Sequence, residues 1–212
     1  MKTTVYLIRH SEQLKNKADI NCLEDSQIGN EKIILTVNGE KKAEKLAKEL
    51  YSKTSIDVLY TSHYVRAMST AKYIAYIYNL PMNVDYRLGE RKLGDLNLLR
   101  KLGEGKKYGY TTCQMLDENF KNIGSESMLE VRERALNFLE EVLKENRGKN
   151  ICLVTHGALI KFLLLNYCTL NKETLEICFN GNKIVGEKLS LPDLIKVIYE
   201  DNKLIDIQHM ES

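Results

Sequence analysis

This sequence of 212 residues lacks a large excess of charge of either sign. Its 31 Lys and Arg residues and 29 Asp and Glu residues give a formal net charge of only +2. Such a balance gives no general reason to expect a nucleic acid or a membrane surface as a partner. No stretch approaches the 18 apolar residues of a transmembrane helix, and the apolar stretch at the N-terminus is too short for a signal peptide. A site for an anion would therefore have to be a local cluster of side chains.

Paired cysteines are also missing. The five cysteines are an odd number, and none of them form a Cys-x-x-Cys pair. Cys152 lies in an apolar run, where a buried thiol is the ordinary interpretation. These observations indicate a reducing compartment, and with no targeting signal in view they predict a cytoplasmic protein.

Repeats, low-complexity tracts and domain linkers are absent as well, so we expect residues 1–212 to form a single domain. Apolar residues make up 43% of the chain, which suffices to bury a core without disulfides or metals. Residues 92–124 are the least regular part and contain five glycines. We expect this segment to be an insertion or a lid.

Apolar runs typical of strands alternate with stretches whose apolar residues recur at helical spacing. Strands are predicted at 3–8, 56–61 and 150–155, with an extended piece at 82–85 and a hairpin of 195–199 with 204–207. Helices are predicted at 37–51, 63–78, 127–145 and 158–167. Thr36 and Ser62 are expected to cap the first two helices, and Ser127 with Glu130 fits a capping box. The alternation predicts a layered α/β fold with a mainly parallel central sheet.

Two of the predicted buried strands are directly followed by a histidine, His10 after the first and His156 after the strand at 150–155. Ligands bind beyond the carboxyl ends of strands in open α/β sheets, so both imidazoles face one crevice if the two strands are neighbours. Arg9 precedes His10, Arg66 falls on the first turn of a predicted helix, and Glu90 follows the next extended segment. This edge of the sheet would then collect two histidines, two arginines and one glutamate.

Such a set of side chains is suited to phosphoryl transfer. Two guanidiniums match phosphoryl oxygens by bidentate hydrogen bonds, and helix N-termini add backbone N–H donors. A neutral imidazole can attack phosphorus while a second histidine stabilises the equatorial oxygens, and one such donor contributes about 3–4 kcal/mol in comparable sites. A carboxylic acid can protonate the leaving oxygen, which accelerates the reaction roughly 10²–10⁴-fold.

Five segments carry a family resemblance, and together they cover nearly the whole chain. They are residues 7–12 (LIRHSE), 35–39 (LTVNG), 60–71 (YTSHYVRAMSTA), 88–91 (LGER, with Gly94 beyond it) and 154–157 (VTHG). Their order and content resemble the motifs of the histidine phosphatase superfamily, also called the phosphoglycerate mutase-like family. One such motif is weak evidence, whereas five in the family's order are strong evidence.

The resemblance implies a three-layer sandwich around the central sheet. It implies that His10 is the phosphorylated nucleophile and His156 the second catalytic histidine. Arg9 and Arg66 would complete the phosphate pocket, and Glu90 would be the proton donor. The family needs no metal, and we expect no cofactor.

Three further positions bear on this resemblance. Asn16 matches an asparagine that often follows the first motif, and would be a supporting contact to the phosphate or the substrate. Ser11 stands where the family usually has glycine, so a side chain is added where backbone approaches the phosphate, and its hydroxyl is a candidate donor. Ser125 replaces another usual glycine, directly before Glu126, which is a further candidate for the site.

A phosphomonoester hydrolase acting on a small phosphorylated metabolite is the interpretation that we favour, with two alternatives open. A phosphoglycerate mutase would return the phosphoryl group from the phosphohistidine to another hydroxyl. Mutases of this family usually have a longer insertion with paired arginines, whereas residues 92–124 contain only Arg100. A non-catalytic phospho-ligand binding module would keep the pocket without turnover. The natural substrate and the oligomeric state do not follow from the sequence.

Other polar residues have ordinary structural interpretations. Thr70 lies at a helical core spacing, and Glu12 is expected to be structural or a partner of the arginines. His63 and His209 have no partner pattern, and we expect no metal site at either of them. Three lysines of the irregular segment would be solvent-exposed or would touch a charged part of the substrate: Lys101, Lys106 and Lys107.

Overall fold

The computed structural model describes residues 1–14, 26–95, 98 and 109–210. The strands of its main sheet are β1 (Lys2–Arg9), β2 (Val58–Thr61), β3 (Met82–Val84), β4 (Asn150–Thr155), β8 (Asp193–Glu200) and β9 (Lys203–Met210). Their order in the sheet is β3-β2-β4-β1-β8-β9. The strands β3, β2, β4 and β1 pair in parallel with their neighbours. At one edge, β8 pairs antiparallel with β1, and β9 pairs antiparallel with β8. The predicted α/β fold with a mainly parallel sheet is therefore confirmed.

Helices connect these strands, as the sequence periodicity predicts. They are α1 (Gln27–Lys32), α2 (Val37–Lys53), α3 (Val65–Tyr78), α4 (Tyr110–Leu116), α5 (Met128–Glu145) and α6 (Gly157–Leu164), with a 3₁₀ turn at Tyr86–Leu88. Thr36 caps α2 by accepting a hydrogen bond from the Gly39 backbone N–H at 2.8 Å. Ser127 and Glu130 form the expected capping box at the start of α5. These local signals worked because each satisfies backbone N–H groups that have no partner within the helix.

The side chains of β1 and β4 alternate between the two faces of the sheet, as the two-residue period of a strand requires. One face packs against α5 and α6 through Val5, Leu7, Ile151 and Leu153. The other packs against α2 and α3 through Tyr6, Ile8, Cys152 and Val154. All eight of these side chains are buried. A sheet covered on both faces gives the three layers that the family resemblance implies.

The segment 92–124, expected to be an irregular insertion or lid, contains the helix α4. Helix α1 lies in the stretch before α2, where no helix was predicted. A small antiparallel sheet of β5 (Thr169–Leu170), β6 (Ile177–Phe179) and β7 (Asn182–Val185) was not predicted either. The terminal hairpin is present and extends over the whole of β8 and β9.

The described part of the chain contains no helix that is both long enough and apolar enough to cross a membrane.

Candidate active site

The two histidines predicted to act together do lie together, at the carboxyl ends of neighbouring strands. β1 and β4 pair in parallel with Arg9 opposite Thr155, so the residue after each strand meets its counterpart. The backbone N–H of His10 donates to the Thr155 carbonyl at 2.9 Å. The centroids of the His10 and His156 rings are 5.2 Å apart, and the side chains are buried. One small anion between the rings could therefore contact both imidazoles.

The orientation of the His10 ring is fixed by the adjacent backbone. Its Nδ1 lies 2.8 Å from the carbonyl oxygen of Ser11. A carbonyl only accepts hydrogen bonds, so Nδ1 carries the proton in the neutral ring and donates it to Ser11. The lone pair of a neutral His10 then resides on Nε2. This is the tautomer that nucleophilic attack by Nε2 requires.

Arg66 reaches that same nitrogen from the first turn of α3. Its Nε donates to Nε2 of His10 at 3.2 Å, and its NH1 group donates to the Asn30 carbonyl at 2.6 Å. The guanidinium also lies 4.7 Å from the centroid of the Tyr64 ring. Burial lowers the pKa of Arg66, while the nearby charge of Glu90 raises it. A buried guanidinium at the end of the His10 ring is placed to attract an anion to Nε2.

His156 is the N-cap residue of α6 and is fully buried. Its Nε2 lies 2.8 Å from the Ser62 hydroxyl, which also accepts a hydrogen bond from the Tyr64 backbone N–H at 3.2 Å. Burial lowers the pKa of His156 well below its usual value, and the positive charge of Arg66 lowers it further. The ring is therefore neutral at neutral pH. Nδ1 is buried and makes no hydrogen bond to any described residue.

Ser62 was predicted to cap helix α3, and this was wrong. The helix begins at Val65 after Tyr64, and no side chain caps it. Ser62 instead holds the ring of His156. The Tyr64 ring packs against the same imidazole at a centroid distance of 4.6 Å, so both residues belong to the site although neither was predicted there.

Arg9 extends from the end of β1 to a loop before β8. Its NH1 group donates to the Leu189 carbonyl at 2.5 Å. A Cβ atom at Gly157 would lie only 3.1 Å from Nε of Arg9, so the absence of a side chain at Gly157 lets α6 approach the guanidinium. Burial lowers the pKa of Arg9, whereas the charges of Glu90 and Asp193 raise it.

Glu90 is half-buried and lies near both arginines, since its charge raises the pKa of each. One carboxylate oxygen accepts a hydrogen bond from the Arg91 backbone N–H at 3.0 Å. The other lies 3.5 Å from the Ala158 backbone N–H in the first turn of α6. The Arg91 guanidinium points elsewhere and donates to the Thr111 hydroxyl at 2.8 Å.

Ser11 does not direct its hydroxyl toward the predicted phosphate position. The side chain is fully buried, and its Oγ donates to the Gly39 carbonyl at 2.7 Å. Its backbone N–H donates to the Thr70 hydroxyl at 2.9 Å, so Thr70 supports the backbone that follows His10 as well as packing in the core. Glu12 was expected to be structural or a partner of the arginines, and it is structural. Its carboxylate accepts hydrogen bonds from Thr36 and Lys42.

The remaining predicted residues are distributed around this centre. Glu126 pairs with Arg134 at 2.8 Å and shares a 410 Å³ cleft with Glu90 and His63. The described residues include no group of three His, Cys, Asp or Glu side chains that could hold a metal ion. Four predicted residues lie outside the described residues: Asn16, Lys101, Lys106 and Lys107.

A larger cleft of 660 Å³ opens beside Arg9 and Glu90. Gly157, Ala158 and Lys161 of α6 form one wall, and residues 109–112 at the start of α4 form another. The irregular segment 92–124 thus contributes directly to the opening next to the arginine and the carboxylate.

Comparison with known proteins agrees with this geometry. The sequence matches the model of the histidine phosphatase superfamily (branch 1) over residues 5–182. It is 32% identical to a probable phosphatase of Schizosaccharomyces pombe over 77% of this chain, which spans 56% of that protein. It is also 32% identical to the 2,3-bisphosphoglycerate-dependent phosphoglycerate mutase of Buchnera aphidicola, covering 76% of this chain and 84% of that enzyme.

The solved structure of a mycobacterial glucosyl-3-phosphoglycerate phosphatase has a similar fold. The TM-score is 0.72, and the alignment covers 99% of this chain and 97% of that one at 19% identity. Identity at this level shows a shared architecture and leaves the choice of substrate to the residues of each site.

Proposed function

Because the chain belongs to branch 1 of the histidine phosphatase superfamily, we propose that it hydrolyses phosphomonoesters of small metabolites through a phosphohistidine formed on His10. The family match and the phosphatase among its relatives support a phosphomonoesterase as the enzyme class. One observation carries the proposed mechanism. Nδ1 of His10 is held by the Ser11 carbonyl, which leaves the lone pair of Nε2 beside the Arg66 guanidinium.

In the first step, the Arg66 Nε–H that bonds to Nε2 of His10 turns to a phosphoryl oxygen, which releases the lone pair of Nε2. Nε2 then attacks phosphorus while the bond from phosphorus to the ester oxygen breaks. The ring is buried and hydrogen-bonded, so it loses little freedom when it reacts. The imidazolium that forms keeps its proton on Nδ1, where it remains hydrogen-bonded to the Ser11 carbonyl. The phosphoryl group is thereby transferred to the enzyme, and the alcohol is released.

Three hydrogen-bond donors, two of them cationic and one neutral, stabilise the charge of the phosphoryl group in this proposal. Arg66 and Arg9 supply guanidinium N–H groups, and Nδ1–H of His156 supplies a neutral donor while Nε2 is held by Ser62. Asn16 is proposed as a further contact on the strength of its motif position alone. Burial and the charge of Arg66 lower the pKa of His156 in the free site, so it can supply this N–H as a neutral imidazole.

Glu90 is the proposed acid and base. It lies close to both arginines, and its carboxylate approaches the N-terminus of α6, where the phosphoryl oxygens would also gather. As the acid it protonates the departing alkoxide. As the base it then removes a proton from the water that attacks the phosphohistidine, which releases phosphate and restores His10.

The substrate's organic part is proposed to occupy the 660 Å³ cleft. Residues 109–112 line it together with Arg9 and Glu90, which supports a lid role for the segment 92–124 within one domain. We also propose a cytoplasmic location, supported by the free thiols of Cys152, Cys168 and Cys178.

Phosphoglycerate mutase activity is the second candidate, because one relative with 32% identity is such a mutase. The absence of paired arginines in residues 92–124 favours hydrolysis. A mutase must keep its phosphohistidine until a second hydroxyl arrives, so its phosphoenzyme would persist for many minutes in water. A hydrolase would lose it within the turnover time.

Hydrolysis of 4-nitrophenyl phosphate and of a panel of phosphorylated metabolites tests the proposal. We expect phosphate release by the unsubstituted protein and none by His10→Ala, with circular dichroism showing that the variant is folded. A non-catalytic binding module would bind phosphate and release none from any ester. Activity that survives in His10→Ala would contradict the proposed nucleophile.

A further inference from the structure

A buried carboxylate lies next to the arginine of the first motif, outside the proposed set of catalytic and phosphate-binding residues. Asp193 is the first residue of β8, directly opposite Arg9 in the antiparallel pairing of β8 with β1. Its side chain is only 7% exposed. A buried carboxylate needs hydrogen-bond donors to offset the loss of hydration, so its partners show what it holds in place.

Asp193 organises the loop that precedes β8. Its Oδ2 accepts a hydrogen bond from the Ser190 backbone N–H at 2.8 Å. Its Oδ1 accepts from the Leu194 backbone N–H at 2.9 Å and lies 2.6 Å from Nε2 of His209 on β9. The carboxylate thus ties the loop residue Ser190 to both β8 and the neighbouring edge strand.

The same loop holds the Arg9 guanidinium. The NH1 group donates to the carbonyl of Leu189 at 2.5 Å and lies 3.4 Å from the carbonyl of Ser190. The peptide unit between these residues therefore presents a carbonyl to Arg9 on one side and an N–H to Asp193 on the other. Moving the Ser190 N–H would move the Leu189 carbonyl, because both belong to one planar peptide group.

We propose that Asp193 is a positioning residue for Arg9: it fixes the Leu189–Ser190 peptide, whose carbonyl in turn orients the guanidinium toward the phosphoryl group. This inference rests on the proposed role of Arg9 in binding the phosphoryl group. His209 supports the arrangement from outside by bonding to the Asp193 oxygen that does not face Ser190. An arginine whose fork is oriented before binding loses less freedom when phosphate arrives.

A double-mutant cycle on phosphate binding tests the proposal. The variants are Asp193→Ala, Arg9→Ala and the double substitution, with Asp206→Ala on β9 as the matched control, since the Asp206 carboxylate bonds only within its own strand in the described contacts. The probe is inorganic phosphate, with Kd measured by ³¹P NMR titration. Thermal unfolding reports on the folding of each variant.

We expect Asp193→Ala to weaken phosphate binding about tenfold when Arg9 is present and to have no effect when Arg9 is already alanine, because networked residues are not additive. Asp193→Asn keeps an oxygen that can face the Ser190 N–H, so it should restore most of the affinity. Asp206→Ala should bind phosphate as the unsubstituted protein does.

Equal losses in both backgrounds, or none in either, would overturn the positioning role, and so would Asp193→Asn binding no better than Asp193→Ala. If the unsubstituted protein fails to bind phosphate, the positioning role and the proposed function are both overturned. If it binds phosphate but hydrolyses no ester, only the proposed function is lost, and the cycle still decides the role of Asp193.

Discussion

Substituting Arg66 by lysine separates the charge of this residue from its geometry. In the structure the planar guanidinium makes two directed hydrogen bonds, from Nε to Nε2 of His10 and from NH1 to the Asn30 carbonyl. It also lies over the Tyr64 ring. Lysine keeps the positive charge but offers a single nitrogen, which cannot occupy both donor positions and still reach a phosphoryl oxygen.

The expected cost follows from the hydrogen bonds that lysine cannot replace. A hydrogen bond to a charged partner contributes about 1.5–3 kcal/mol, and about 1.4 kcal/mol is a factor of ten in rate. Loss of one such bond to the phosphoryl group in the transition state lowers kcat/KM by about 10–150-fold. Loss of the bond to the Asn30 carbonyl destabilises the fold by about 1.5–3 kcal/mol, which thermal unfolding measures separately.

Steady-state kinetics with 4-nitrophenyl phosphate measure the effect. Arg132→Lys is the matched control, because Arg132 lies away from the histidines. Its guanidinium forms an ion pair with Glu118, with 2.7 Å between the paired nitrogen and oxygen. Surface pairs of this kind contribute about 0–1 kcal/mol, so this variant should keep full activity. If Arg66→Lys keeps kcat/KM within about threefold of the unsubstituted protein, directed bonding by Arg66 is not part of catalysis and the reasoning is refuted.

Three further changes have defined outcomes. Glu90→Gln should lower kcat/KM for alkyl phosphates about 10²–10³-fold and for 4-nitrophenyl phosphate much less, because kcat/KM reports on alcohol release and nitrophenolate leaves without a proton. Equal losses of kcat/KM for both esters would contradict the acid role. Ser11→Gly should leave kcat/KM unchanged, since the hydroxyl bonds to the Gly39 carbonyl, and should lower the free energy of unfolding in urea by about 1–2 kcal/mol. A large change in kcat/KM would place the Ser11 hydroxyl on the substrate instead. The lowered pKa of His156 means that below pH 6.5 the unfolded chain binds a proton that the folded chain does not. The free energy of unfolding should therefore fall as pH decreases below 6.5, by up to about 1.4 kcal/mol per pH unit from this residue, and His156→Gln should flatten that dependence.

The positions of the two histidines were predictable because of the strands before them. A parallel strand buried on both faces requires a continuous apolar run, and the runs before His10 and His156 are of that kind. The end of such a strand is then marked in the sequence by the first polar residues. Helices α2 and α5 were predictable for a related reason, since a capping residue precedes each apolar stripe.

Helices α1 and α4 could not be predicted by the same criteria. They have 6 and 7 residues, which is too short for an apolar stripe to repeat. Their stability depends on the contacts that they make after folding, such as the bond from Gln27 to the Tyr64 hydroxyl. Short helices of this kind carry little periodic signal in the sequence.

The hydrogen-bond partners of the candidate site residues were also beyond the sequence. Ser62 stands where a capping serine would, and only the orientation of the His156 ring shows that its hydroxyl bonds to Nε2. Arg9 bonds to a carbonyl 180 residues away, a contact that exists only because β8 pairs with β1. Local patterns identify residue types at strand ends, whereas tertiary pairing decides which residues hold them in place.

Covalent labelling of His10 during turnover tests the central claim most directly. The protein is mixed with a ³²P-labelled phosphomonoester, quenched in alkali, digested and analysed by mass spectrometry, with His10→Ala as control. We predict acid-labile, alkali-stable phosphate on the peptide that contains His10, and none on the variant. Label on a different peptide, or equal labelling of the unsubstituted protein and of His10→Ala, would contradict the mechanism.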